Sequence, residues 1–130
     1  MNTITLGATP LVRIVHPPEA GRPVRHAARE LRDYLEASLG VALEIVEGPA
    51  EPGAFFVTTA QLNPEAFAAA GSFPADEHDR CAAFGQHGCV FLVGENPLSA
   101  QYAVYDFLQA YLGIRFFAPG REHEYVPVRS

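Results

Sequence analysis

The sequence predicts an α/β domain, one mixed β-sheet layer accompanied by two long helices. Three observations point there. Apolar residues recur at helical spacing from Pro23 to Leu39, the run CVFLV (Cys89–Val93) is apolar at every position, and the chain opens in the order strand, helix, strand. That order implies a crossover and a parallel pair, and an unbroken apolar run suits a central strand buried on both faces. The length, 130 residues, fits one domain, and a compact chain of this size hides roughly two-thirds of its unfolded surface, enough for one core.

The elements follow in order. Leu11 to His16 (LVRIVH) is a β-rich run closed by Pro17 and Pro18. The first helix starts at about Pro23, suited to a first helical turn, and ends at Leu39 with Gly40 as terminator. Val24, Ala27, Ala28, Leu31, Tyr34, Leu35 and Leu39 share one face, and charged residues occupy the rest. Ala42 to Val46 and Phe55 to Ala60 read as further strands, separated by the turn-rich EGPAEPG. Asn63 to Ala70 suits a short helix and Gly71 to Asp79 a loop. Arg80 to Phe84 and Cys89 to Val93 flank GQHG (Gly85–Gly88) as a hairpin in which Phe84 faces Cys89. Asn96 caps a second helix running to about Leu112, and Ile114 to Phe117 forms a last strand.

Composition excludes several functions. Net charge is −6, with 15 acidic against 9 basic residues and no Lys, which argues against nucleic acid, whose phosphates require a basic surface. The opening MNTITLGATP lacks the basic and apolar regions of a secretory signal, and no apolar run approaches the ~20 residues of a membrane helix. The expected location is the cytoplasm, or outside it if Met1 is not the natural start of an exported parent. Two cysteines, Cys81 and Cys89, make no disulfide framework. In the hairpin they have opposite strand parity, so both are expected as free thiols.

The search for chemistry yields no catalytic constellation. Of His16, His26, His78, His87 and His123, only His26 has a partner one helical turn away, Glu30, with no third ligand and no zinc-hydrolase motif. DEHD (Asp76–Asp79) lacks the alternation of a calcium loop. No Ser or Cys sits in a nucleophile elbow. Glu122 and Glu124 beside His123 are the one acidic cluster that invites attention, and they read as a polar tail. VGENP (Val93–Pro97) joins a strand to a helix start, a place that can hold an anion, but it lacks the further glycines or the lysine of a phosphate loop. No cofactor is implied.

The second helix differs from the first. Leu98, Val104, Tyr105, Phe107, Leu108, Tyr111 and Leu112 spread over half its circumference or more, whereas packing on one sheet needs a stripe of roughly 100°. The excess is either core packing or a second contact, with the first helix or with something outside the chain; in the last case Phe107, Tyr111 and Phe117 are the candidate docking face.

Two motifs in this chain carry a family resemblance. V-G-E-N-P followed by YAVYDFL (Tyr102–Leu108) and LGIRFFAPG (Leu112–Gly120) resembles the N-terminal domain of glycoside hydrolase family 67 α-glucuronidases. It is also similar to the domain ahead of the barrel in β-N-acetylhexosaminidases. HAARELRDYLEASLG (His26–Gly40) resembles the family's first helix through Ala27, Ala28, Glu30, Leu31, Tyr34, Leu35 and Gly40. Ile114 and Phe116 stand where Val and Trp are common. The likeness spans about Leu11 to Pro127.

It implies a mixed sheet with both long helices on one side and a role as a non-catalytic accessory domain. The partner would be a catalytic (β/α)8 barrel in cis, or a second copy of the chain in isolation. Catalytic acids of that family lie in the barrel, so the resemblance assigns no catalytic residue to this chain. The alternative is a free-standing module for a sugar or another small ligand.

Overall fold

The structure, a computed structural model, describes residues 4–6, 9–69 and 80–112. Two short strands, β1 (Ile4–Leu6) and β2 (Thr9–Leu11), form an antiparallel pair. The main sheet contains β3 (Arg13–His16), β4 (Glu44–Glu47), β5 (Ala54–Thr59), β6 (Cys81–Gln86) and β7 (Cys89–Gly94), in the order β4-β3-β5-β7-β6. The first four strands in that order are parallel and β6 is the antiparallel edge. The domain is therefore mixed α+β, with helices α1 (Arg22–Leu39) and α3 (Pro97–Leu112) packed on the sheet and a short α2 (Pro64–Ala69). The predicted strand Ile114–Phe117 and the predicted loop 71–79 lie outside the described residues.

The first predicted strand divides in two. Leu11 ends β2, and the Val12 N–H turns to the Gly53 carbonyl at 2.8 Å, so β3 starts at Arg13. The hairpin is also tighter than the sequence suggests. Its turn contains only His87 and Gly88, at φ 55° and 75°, the pair of positive angles of a type I′ turn, whose twist matches the flanking strands. Gln86 therefore pairs with Cys89, and Phe84 faces Phe91, not Cys89 as expected. The shift is two residues, so every side chain keeps its predicted face.

One face of the sheet and two helices enclose the main core. Ile14, Phe55, Val57, Val90 and Leu92 meet Val24, Ala27, Ala28, Leu31 and Leu35 of α1 and Ala100, Ala103, Val104 and Leu108 of α3. Leu31 and Leu35 are fully buried, each contributing about 1.5–3 kcal/mol relative to exposure. The small residues Ala27, Ala28, Ala100 and Ala103 let the helices approach closely. Gly40, at φ 69°, ends α1 and returns its N–H to the Glu36 carbonyl, a left-handed cap that other residues adopt at a cost.

The second face holds a smaller cluster, Val15, Ala54, Phe56 and Cys89, with Val46 and Phe91 partly buried beside it. Its cover has an unusual source. β4 and β5 are parallel and flank β3, yet only residues 48–53 join them. A parallel connection normally takes a dozen or more residues and a helix. Here the chain runs back through a bend at Gly48 and Pro49 and a turn at Pro52 and Gly53, with Pro49 and Ala50 beside Phe56 and the Gly53 N–H on the Gly88 carbonyl at 2.8 Å. The chain steps from β3 to β4 in one direction and from β4 to β5 in the other. Crossovers of a single hand then lie on opposite faces, which puts the connector opposite α1.

Candidate functional site

The VGENP loop is filled by its own helix. Asn96 Oδ1 accepts the Ser99 N–H and Ser99 Oγ accepts the Asn96 N–H, each at 2.9 Å. This reciprocal cap satisfies donors that a bound anion would otherwise use. Glu95 is held by Arg80, with Nη2 to Oε2 at 2.7 Å. Asn96 is the cap that the sequence predicts, and its side chain works on the helix and not on a ligand.

Among the described residues no group of three or more His, Cys, Asp or Glu side chains is placed to hold a metal. His26 Nε2 does lie 3.1 Å from Glu30 Oε1, but that carboxylate also accepts a hydrogen bond from the Tyr105 hydroxyl of α3. The contact ties the two long helices together. His16 is buried, with Nδ1 2.9 Å from the Pro17 carbonyl. His78, Glu122, His123 and Glu124 lie outside the described residues. No helix among the described residues is long and apolar enough to cross a membrane.

The two cysteines are free thiols on opposite faces. Cys81 packs beside the main core, where its S–H reaches Asp106 at 3.5 Å, and Cys89 belongs to the second-face cluster. Burial pushes the Cys89 thiol up to about 11 from an ordinary 9.0, with the Glu51 carboxylate adding to the rise and a backbone hydrogen bond at Glu51 opposing it. In native protein at pH 8, iodoacetamide should modify Cys81 well before Cys89, and thiol titration in denaturant should count two. Because the folded form retains the Cys89 proton more tightly, this group's contribution to stability is complete below pH 9.0 and should be lost between there and about pH 11. Equal labelling of both native thiols would contradict this placement.

The proposed docking residues on and after α3 fare differently from one another. Phe107 is half-buried, its ring edge-on to Phe55 at 5.3 Å between centroids, and it belongs to the main core. Phe117 and the side chain of Tyr111 lie outside the described residues. Leu98 and Tyr102, nearer the start of α3, are the exposed large hydrophobic residues among the described side chains of that helix, at 48% and 41%.

A row of rings runs across the second face. Phe56, Phe91 and Phe84 sit side by side on β5, β7 and β6. Phe91 stacks on Phe84 at 5.1 Å and meets Phe56 edge-on at 5.9 Å. Phe56 is covered, but Phe91 and Phe84 are only partly buried. Of the described residues, the connector and α2 stand over Phe56 and the near side of Phe91, bordering a cavity of about 460 Å³ with Gln86 at its rim. The period-2 pattern of Phe84 and Gln86 against the uniformly apolar β7 was the available signal for this row.

A basic groove lies on the opposite side of the molecule. The first half of α1 and the start of α3 enclose about 660 Å³, lined by Arg22, Arg25, His26, Arg29, Leu98 and Gln101. Arg25 is engaged, its Nε on the Ala20 carbonyl at 2.8 Å and an Nη 3.4 Å from Glu47. The α1 amino end has Gly21 as cap residue, with no side-chain cap bond and no acidic residue in its first turn. The sequence offered a signal here too, because Arg22 and Arg25 lie in the first turn, against the helix dipole. Reading each basic residue merely as polar face hid it.

No protein-family model matches the chain, and no curated protein is similar to it.

Proposed function

We propose that this chain is a non-catalytic accessory domain of a carbohydrate-active enzyme, like the domain ahead of the barrel in α-glucuronidases and β-N-acetylhexosaminidases. It would buttress a catalytic (β/α)8 barrel in cis. One observation carries the reading. Parallel strands are normally covered on both faces, and here both long helices occupy one face while Phe91 of the parallel strand β7 and its neighbour Phe84 are only partly buried on the other. The docking surface is then the β7–β6 half of the second face. The motifs around α1 and α3 that resemble those domains supply the identity of the partner.

The purified chain should turn over neither aryl glucuronides nor aryl N-acetylglucosaminides, because retaining or inverting hydrolysis needs two carboxyl groups facing across a cleft. It should bind a hydrophobic dye or self-associate, and the Phe84→Ser/Phe91→Ser pair should reduce that signal to background. Turnover lost on replacing a single acidic residue would overturn the reading. Dye binding unchanged in the double variant would remove the second face as its docking surface.

A further inference from the structure

We propose that the groove between α1 and α3 is a binding site for a small molecule carrying oxyanion groups, carboxylate or phosphate. This goes beyond the accessory role and does not depend on it. The described arginines of this chain divide into two groups. Six lie among the described residues, and four of them have carboxylate partners: Arg13 with Glu51, Arg25 with Glu47, Arg32 with Asp33 and Arg80 with Glu95. The other two, Arg22 and Arg29, make no ion pair with any described residue, and both line this groove. In a chain of net charge −6, carboxylates are abundant, so two unpaired guanidinium groups facing one hollow are a local excess of positive charge.

The helix itself makes that placement unfavourable. Its positive end has no cap bond and no acidic residue in the first turn, yet Arg22, Arg25 and Arg29 all occupy the first half of the helix. An anion in the groove would relieve both the dipole and the mutual repulsion of these cations. Arg22 and Arg29 are seven residues apart, about 10 Å along the helix, with His26 between them. Two anionic groups at that separation, or one held near His26, fit the donors. Guanidinium forks suit carboxylate and phosphate alike. Gln101 adds a neutral amide, and Leu98, exposed at 48%, offers an apolar wall for the carbon skeleton. The groove's volume, about 660 Å³, lies in the range of small-molecule sites.

The test is an amide-resolved titration of the intact chain with inorganic phosphate and, separately, with citrate. The salt should be about 10 mM, where charges are screened only beyond about 30 Å. Saturable shifts are expected in residues 22–29 and at Leu98 and Gln101 with at least one of the two anions. Saturation by phosphate alone or by citrate alone tells which oxyanion the site prefers, and either result supports it. Arg22→Ala/Arg29→Ala should weaken binding about tenfold or more, as loss of charge-assisted hydrogen bonds implies. Leu98→Glu, which leaves every arginine in place, should also abolish it, so the test does not rest on one variant. Absence of saturation with both anions would overturn the proposal, as would shifts centred elsewhere or binding indifferent to both variants. So would binding confined to an acidic polypeptide.

Discussion

Replacing Gly94 with alanine is expected to destabilise the domain by at least about 3 kcal/mol, beyond the usual penalty for overpacking a core. Gly94 ends β7 where the first turn of α3 crosses it. A Cβ built there would lie 2.6 Å from the Ala100 Cα and closer still to the Ala100 nitrogen. These are backbone atoms of a helix anchored by the Asn96–Ser99 cap and by fully buried Ala100, Ala103 and Val104. They cannot rotate aside as a side chain would. Relief requires lifting α3 from the sheet, which opens the main core. Gly48 is the control, since nothing lies within 4 Å of a Cβ there, and Gly48→Ala should stay within about 0.5 kcal/mol of the parent. Urea unfolding of both variants decides the matter. A Gly94→Ala protein within about 1 kcal/mol of the parent would show that α3 does not sit against the strand end as described.

The second large effect concerns the aromatic residues of the core. Phe55→Ala should cost about 3–5 kcal/mol, the range for emptying a buried aromatic site. Phe55 is fully buried in the central strand of the sheet, between the helices and in edge contact with Phe107. Phe107→Ser should cost less, about 1–3 kcal/mol, because its ring is half-exposed and loses only part of that burial. Phe84→Ser, on the edge strand, should cost under about 1 kcal/mol, within the range of half-buried cross-strand pairs. The ranking is the informative result. If Phe107→Ser were as mild as Phe84→Ser, Phe107 would belong to a docking surface and not to the core.

Much of this fold is legible from local pattern. The first helix declares itself because one face is apolar and the other charged, and its apolar residues Val24, Ala27, Ala28, Leu31 and Leu35 become buried, with Ser38 beside them. The start of α3 is equally plain, since Asn96 and Ser99 stand at capping distance. β7 is apolar along CVFLV and β5 opens on the apolar run AFFV, as parallel central strands should. What escaped local reading depends on contacts distant in sequence. Val12 has a strand-forming side chain, and only the Gly53 carbonyl pulls its N–H out of line. The hairpin register rested on His87 accepting a positive φ, uncommon for a residue with a Cβ. Phe107 looked like surplus on a helix wheel because the wheel cannot show that Phe55 extends to meet it. The groove was hidden for a different reason. Whether an arginine is paired depends on carboxylates such as Glu47 and Glu51, which lie far along the chain and arrive only with the fold.

The connector from β4 to β5 sets a limit on how this chain can vary in length. It must descend from the level of His16 to that of Arg13, three strand rises, and shift sideways by two strand positions, about 14 Å in a straight line at ordinary strand spacings and more because it has to pass over β3. The seven Cα steps from Glu47 to Ala54 reach at most about 23 Å, so little slack remains. Three residues fewer would leave about 13 Å, too short for β5 to sit beside β3. Shortening this segment therefore does more than trim a loop. It would bar β5 from the central position, and β7, which pairs with β5, would lose its place with it. Among variants of this protein, Gly48 to Gly53 should lengthen freely and almost never contract.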